Sequence, residues 1–156
     1  FMYLVKLFGI EKAYQLQEAY NIGTAKGGGT IFWQQDRELN IRTGKVMYYN
    51  PNGKRNKDRM SWFVHKKIRA DFNYRQCFFG LHLTTPDKPV ALCESEKTAI
   101  IMSVLEPSYT WIASGGSEML SDERLLELPR LDKVYADNGQ FEKWERKTTF
   151  NRTIRN

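Results

Sequence analysis

The sequence predicts an α/β protein: a parallel sheet flanked by helices, preceded by a small α+β lobe that carries an antiparallel hairpin. Three observations predict it. Val90-Ala91-Leu92-Cys93 is an almost continuous apolar run that stops at Glu94, and Ser95, Thr98 and the run Ala99-Ile100-Ile101-Met102 then start a helix. The same grammar recurs at residues 109–113, which end in Ser114-Gly115-Gly116 before helical sequence at 121–128. It recurs again at 133–136, which end at Asp137-Asn138-Gly139 before helical sequence at 140–147. A strand buried on both faces, followed by a helix that crosses back over the sheet, is the repeating unit of a parallel sheet.

In chain order, residues 2–8 and 10–20 carry two helical patterns broken by Gly9, and Asn21-Ile22-Gly23 closes the second with the left-handed residue that a helix C-terminus favours. The Gly-rich stretch 24–30 lacks both the Gly-Lys-Ser/Thr ending and the following helix of a phosphate-cradling loop. It reads as a flexible loop on which Lys26 can touch a backbone phosphate. Residues 31–35 and 41–49 are strand-like runs joined by a turn at 36–40, which makes a hairpin.

Charge is unevenly placed. The chain carries a net +6, yet from Arg42 to Arg69 nine cations (Arg42, Lys45, Lys54, Arg55, Lys57, Arg59, Lys66, Lys67 and Arg69) face the single acid Asp58. The remainder is therefore slightly acidic, which points to a polyanion-facing surface on one lobe and a separate carboxylate centre on the other. Trp62 and Phe63 border these cations, the mixture that stacks bases and neutralises phosphates; the competing reading places both rings in the core. The Pro-bearing stretch 84–89 is the expected boundary, giving an accessory lobe over 1–88 (two helices, then the basic hairpin) and an α/β domain over 89–156.

The carboxylates Glu94 and Asp137 stand at the ends of two predicted parallel strands, with the Gly115-Gly116 pair as a side-chain-free backbone between them and a candidate cofactor-binding position. No Ser-His or Cys-His pair accompanies them. Oxygen ligands at a sheet's carboxyl edge suit a hard divalent ion such as magnesium, which needs one or two carboxylates and completes its shell with water and substrate phosphates. Lys97, one turn into the helix after Glu94, can meet a phosphate or pair with Glu94. Glu96 is expected to be an exposed first-turn acid. Cys77 and Cys93 do not have zinc spacing with His65 and His82 and read as free thiols, Cys93 in the core. The sequence contains neither a membrane-spanning run nor a signal peptide, so a cytoplasmic protein with no membrane partner is expected; a first residue other than Met is expected of a piece of something longer.

The blocks 91–99, 111–116 and 134–139, with Phe141, Glu142, Lys143 and Trp144, resemble the Toprim domain of bacterial primases and topoisomerases. They look most like primase-like Toprim proteins of plasmids and conjugative transposons, and residues 23–83 look like the lobe that precedes Toprim there. The resemblance implies a Toprim-like, Rossmann-like fold. It also implies DNA replication or mobilisation as the setting, and single-stranded DNA, nucleoside triphosphates and helicase or mobilisation proteins as partners. Glu94 matches the acid that does acid/base or metal work, and Asp137 the leading Asp of a magnesium-binding Asp-x-Asp. Gly139 stands where the second Asp is expected and Ser95 where many members have Gly; Glu142 is the residue available to substitute. Two functions follow: Mg2+- or Mn2+-dependent nucleotidyl transfer of the DNA primase type, or a nucleic-acid-binding module of the same fold that has lost catalysis.

Overall fold

The structure, a computed structural model, describes residues 1–67, 73–116, 119–137, 139, 142, 144–146 and 148. Arg69 and Asn138 lie outside the described residues. The chain divides into two compact units, Phe1–Gln76 and Cys77–Asn156.

The first unit opens with α1 (Met2–Phe8) and α2 (Ile10–Ala19), separated at Gly9, whose φ is 82°. Asn21, at φ 49°, makes the left-handed exit from α2. Gly23 instead lies inside β1 (Ile22–Ala25), which pairs antiparallel with β2 (Gly29–Gln35). The expectation of a flexible loop over 24–30 is thereby corrected: only Lys26, Gly27 and Gly28 turn, and both glycines have positive φ. The predicted hairpin follows, β2 pairing with β3 (Ile41–Met47) across the 36–40 turn, and β4 (Trp62–Phe63) adds to β3. The sheet order is β1-β2-β3-β4. Phe32, Gln34, Thr43 and Met47 are buried on one face, while Ile31, Trp33 and Trp62 are half-buried on the other, the period-2 alternation of a sheet.

His65, in a 3-10 turn over Val64–Lys67, lies within 2.7 Å of the buried Thr43 hydroxyl through Nδ1 and stacks on Tyr74 at a 4.1 Å centroid distance. Desolvation, then the Lys66 charge, holds its pKa below the ordinary value. Below about pH 6.5 the unfolded chain therefore binds more protons than the folded one, so stability rises with pH up to that point and is flat above it. Urea midpoints measured from pH 5 to 7.5 should show this rise, and His65→Gln should flatten it; an unchanged slope in the variant would assign the pH dependence elsewhere.

The second unit holds β5 (Val90–Cys93), α3 (Glu96–Leu105), β6 (Thr110–Ala113), α4 (Asp122–Leu126) and β7 (Lys133–Tyr135). All three strands run parallel in the order β6-β5-β7, so the α/β class, a parallel sheet with helices and a preceding α+β lobe, holds. One face of the sheet packs Val90, Leu92 and Ile112 against Leu120, Leu125, Leu128 and Trp144. The other bears Ala91, Cys93 and Ala113 together with the fully buried Trp111, and α3 buries Ala99 and Ile100. Beyond β6, Phe79 makes an antiparallel bridge to Ala113 with bonds of 2.9 and 3.0 Å, and Cys77, Phe78 and Leu81 join the core. Residues 77–83 are thus part of the parallel unit, which is why the division falls before Cys77 and not in the 84–89 turn.

Arg124 of α4 is buried in this unit. Its guanidinium donates to the carbonyls of Met119, Cys77 (2.8 Å) and Ser114 (3.3 Å) and lies 4.5 Å from the centroid of the Phe78 ring. One side chain thereby fixes the segment entering the sheet, the end of β6 and the approach to α4.

Candidate functional site

The strand order places the site. β5 is central, the chain leaves it through α3 to β6 on one side, and it returns to β7 on the other. The winding thus switches sides of β5 between β6 and β7, and the carboxyl ends of strands at such a switch are the place where open α/β sheets bind ligands. Register pairs Cys93 with Tyr135, so Glu94 is level with Ala136 and Asp137 stands one residue further on; the two acids leave adjacent strands, which lie about 4.8 Å apart in a sheet. Glu94 is half-buried and Asp137 is exposed.

The expected Gly pair does not lie between them. It follows β6, on the opposite side of β5, where Ser114 N donates to Cys93 O at 3.0 Å and Gly115 N to Glu94 O at 2.9 Å. Local sequence carries the strands but not their lateral order, and a central β5 separates β6 from β7. The amide of Gly115 is used in this ladder, and Gly116, at φ 152°, turns the chain away beside Glu94.

Glu96 also departs from expectation: it is 2% exposed. Glu96, Ala99 and Ile100 form the buried i, i+3, i+4 face of α3, so helical periodicity counted back from the apolar run is the signal that finds it. The Cys93 thiol reports the resulting field. Burial, then the charges of Glu96 and Asp137, push its pKa far above the ordinary value, so it stays a neutral thiol donating weakly to Ser95 O and Ile112 O, each at 3.4 Å. Cys93 is a core thiol, and the carboxylates around it make this edge negative.

Ser95 takes the N-cap position of α3 at φ −97°, a conformation open to any residue, and its side chain makes no capping hydrogen bond. Replacing Gly there costs the backbone nothing. Lys97 is half-buried in the first turn, where desolvation holds its ammonium below the ordinary value. Gly139 is exposed at φ +84°, and an added Cβ would meet nothing within 4 Å. Space for a side chain exists there, but the turn is one that L residues rarely adopt. Glu142 points to solvent and pairs with Arg146 at 3.8 Å, both side chains largely exposed, a contact worth little. Among the described residues no group of three or more His, Cys, Asp and Glu is arranged to hold a metal ion. Glu94 and Asp137 are oxygen donors of the kind that suits magnesium, which keeps water and phosphate ligands.

In the first unit the basic residues sort by what they already hold. Arg42 is committed to Asp36, Nε to Oδ2 at 2.6 Å, with both side chains mostly buried. Lys45 is half-buried within β3. Lys26, Lys54, Arg55, Lys57, Arg59 and Lys66 are exposed, and Lys67 ends the 3-10 turn. Arg59 donates to Gly27 O at 2.6 Å and caps the Tyr48 ring at 3.6 Å, which ties the basic 50–59 loop to the β1–β2 turn. Trp62 is half-buried, its Nε1 3.5 Å from Tyr48 Oη. No helix among the described residues is long and apolar enough to cross a membrane.

Compared with solved structures, the chain is similar to the primase fragment of the bacteriophage T7 primase-helicase protein, with a TM-score of 0.55 and 14% sequence identity. The match covers 86% of this chain and 56% of that one, so the chain spans little more than half of the fragment it resembles, and at this identity the likeness is one of fold. No curated protein sequence matches. A family model spans residues 1–136, from α1 through the end of β7, and by that match the chain belongs to DUF6371, a domain of unknown function.

Proposed function

We propose that the chain is a primase-like Toprim protein that acts on nucleic acid in DNA replication or mobilisation, in the cytoplasm, by Mg2+- or Mn2+-dependent nucleotidyl transfer. The observation that carries this reading is the parallel pairing of β5 and β7, which puts Glu94 and Asp137 at neighbouring strand ends. Support also comes from the fold likeness to a primase fragment. When bound, the ion would neutralise and orient phosphate oxygens. Glu94 and Asp137 would hold it, and Lys97, whose half-buried ammonium gains from a nearby anion, would take a triphosphate oxygen. Single-stranded DNA would lie along the exposed cations of the first unit. The mobile-element setting and helicase or mobilisation partners rest on the sequence resemblance alone.

A second reading, the same fold acting only as a nucleic-acid-binding module, is favoured by Gly139, where the turn itself disfavours the second carboxylate. Thermal melting with and without Mg2+ or Mn2+ separates the two. Nucleotidyl transfer requires the midpoint to rise with metal in the native protein and to stay put in Glu94→Gln. Equal responses in both proteins, or none in either, would remove the metal centre and leave the binding module.

A further inference from the structure

Three glycines of the antiparallel sheet lie on one face, and each lies under an aromatic ring. A Cβ on Gly23 would stand 2.7 Å from Trp33 Nε1, and one on Gly44 2.7 Å from Trp33 Cε3. One end of the indole is thus close beside Gly23 of β1 and the other close beside Gly44 of β3, so the ring spans three strands. A Cβ on Gly29 would stand 2.9 Å from Tyr48 Cε1. Trp62 adjoins Tyr48 through its indole nitrogen. Glycine inside strands weakens a sheet unless something must approach the backbone closely, and here what approaches is a pavement of rings. Trp33, Tyr48 and Trp62 are each half-buried, and Arg59 covers the Tyr48 ring.

We propose that this pavement seats the bases of a single strand of nucleic acid, with Trp33 and Trp62 as the stacking surfaces. The occupant follows from charge: Lys26 on the β1–β2 turn and Arg55, Lys57 and Arg59 on the loop tied to it are exposed cations complementary to a phosphate backbone. Every base has a π face, so such a site takes single strands with little sequence preference, whereas a duplex has its base faces already stacked. This inference rests on the nucleic-acid reading of the function and names where the strand lies.

Intrinsic fluorescence tests it on the full chain. Of the four tryptophans, Trp111 and Trp144 are 0% and 1% exposed, so a ligand can quench only Trp33 and Trp62. Titration with a sixteen-nucleotide oligo-dT should quench the emission, and the matching duplex should not. Trp33→Ala should weaken oligo-dT binding roughly five- to a hundredfold without changing the salt slope, and Trp33→Phe should restore most of it. Salt-dependent binding with no quench, or native affinity in both Trp33→Ala and Trp62→Ala, would overturn the stacking site while leaving nucleic-acid binding in place. Failure of the native protein to bind either oligonucleotide at low salt would overturn both. Should Trp33→Ala not fold, the contrast between single strand and duplex in the native protein decides.

Discussion

Asp137→Asn is expected to leave the fold intact and to cut nucleotidyl transfer on a single-stranded template by at least about a hundredfold. Asp137 is exposed just beyond β7, where substitutions usually change stability by no more than about 0.5 kcal/mol. The same change removes half the formal charge of the Glu94–Asp137 pair. Metal stabilisation of transferring phosphoryl groups is worth several kcal/mol, and each 1.36 kcal/mol is a factor of ten in rate. Incorporation of labelled nucleoside triphosphate by native and variant proteins measures the ratio. Equal incorporation would place catalysis elsewhere in the molecule. Gly139→Asp is the informative companion: it supplies the carboxylate that the resemblance implies but forces a side chain onto a backbone at φ +84°. Higher activity in that variant would mean that charge outweighs turn strain at this edge.

Arg124→Ala is expected to be the most damaging single change to the second unit, lowering stability by about 3 kcal/mol. The guanidinium serves the carbonyls of Met119, Cys77 and Ser114 from a site only 6% exposed. Its removal leaves those acceptors short of a donor in a place water does not readily reach, and charge-assisted hydrogen bonds contribute roughly 1.5–3 kcal/mol each. Lysine has the charge without the planar fork, so Arg124→Lys should recover only part of the loss. Urea unfolding followed by Trp emission reads it, since Trp111 and Trp144 are in this unit. A loss below about 1 kcal/mol would show that the three segments are held by apolar packing instead.

The parts of the fold legible in the sequence are those that chain-local chemistry dictates. Val90–Cys93 reads as a buried strand because it is apolar throughout, and Ser121 marks α4 because its hydroxyl can accept from Arg124 N, as it does at 3.4 Å. The 36–40 turn is legible in the same way: Asp36 Oδ1 accepts from Asn40 N at 2.8 Å. What sequence concealed is set by partners far along the chain. β1 hides in Gly-rich sequence because its glycine makes room for Trp33, ten residues on. Residues 77–83 join β6 through the Phe79–Ala113 bridge and the core around Ile112. At the candidate site, both strand-end acids were legible from the ends of apolar runs. Glu96 was not, because a first-turn acid is usually solvated, and neither was the side of β5 on which Gly115 and Gly116 fall.

The pairing pattern of the two sheets has a consequence for how the chain acquires its shape. In the first, every strand pairs with its immediate successor, so the meander can zip up strand by strand, soon after each strand has left the ribosome. The second waits on closure between Val90–Cys93 and Lys133–Tyr135, a distant join that costs loop entropy before it returns any burial. During synthesis the ring-paved sheet would therefore be complete while the acidic edge was still unmade, and any late-folding trap would belong to the parallel half.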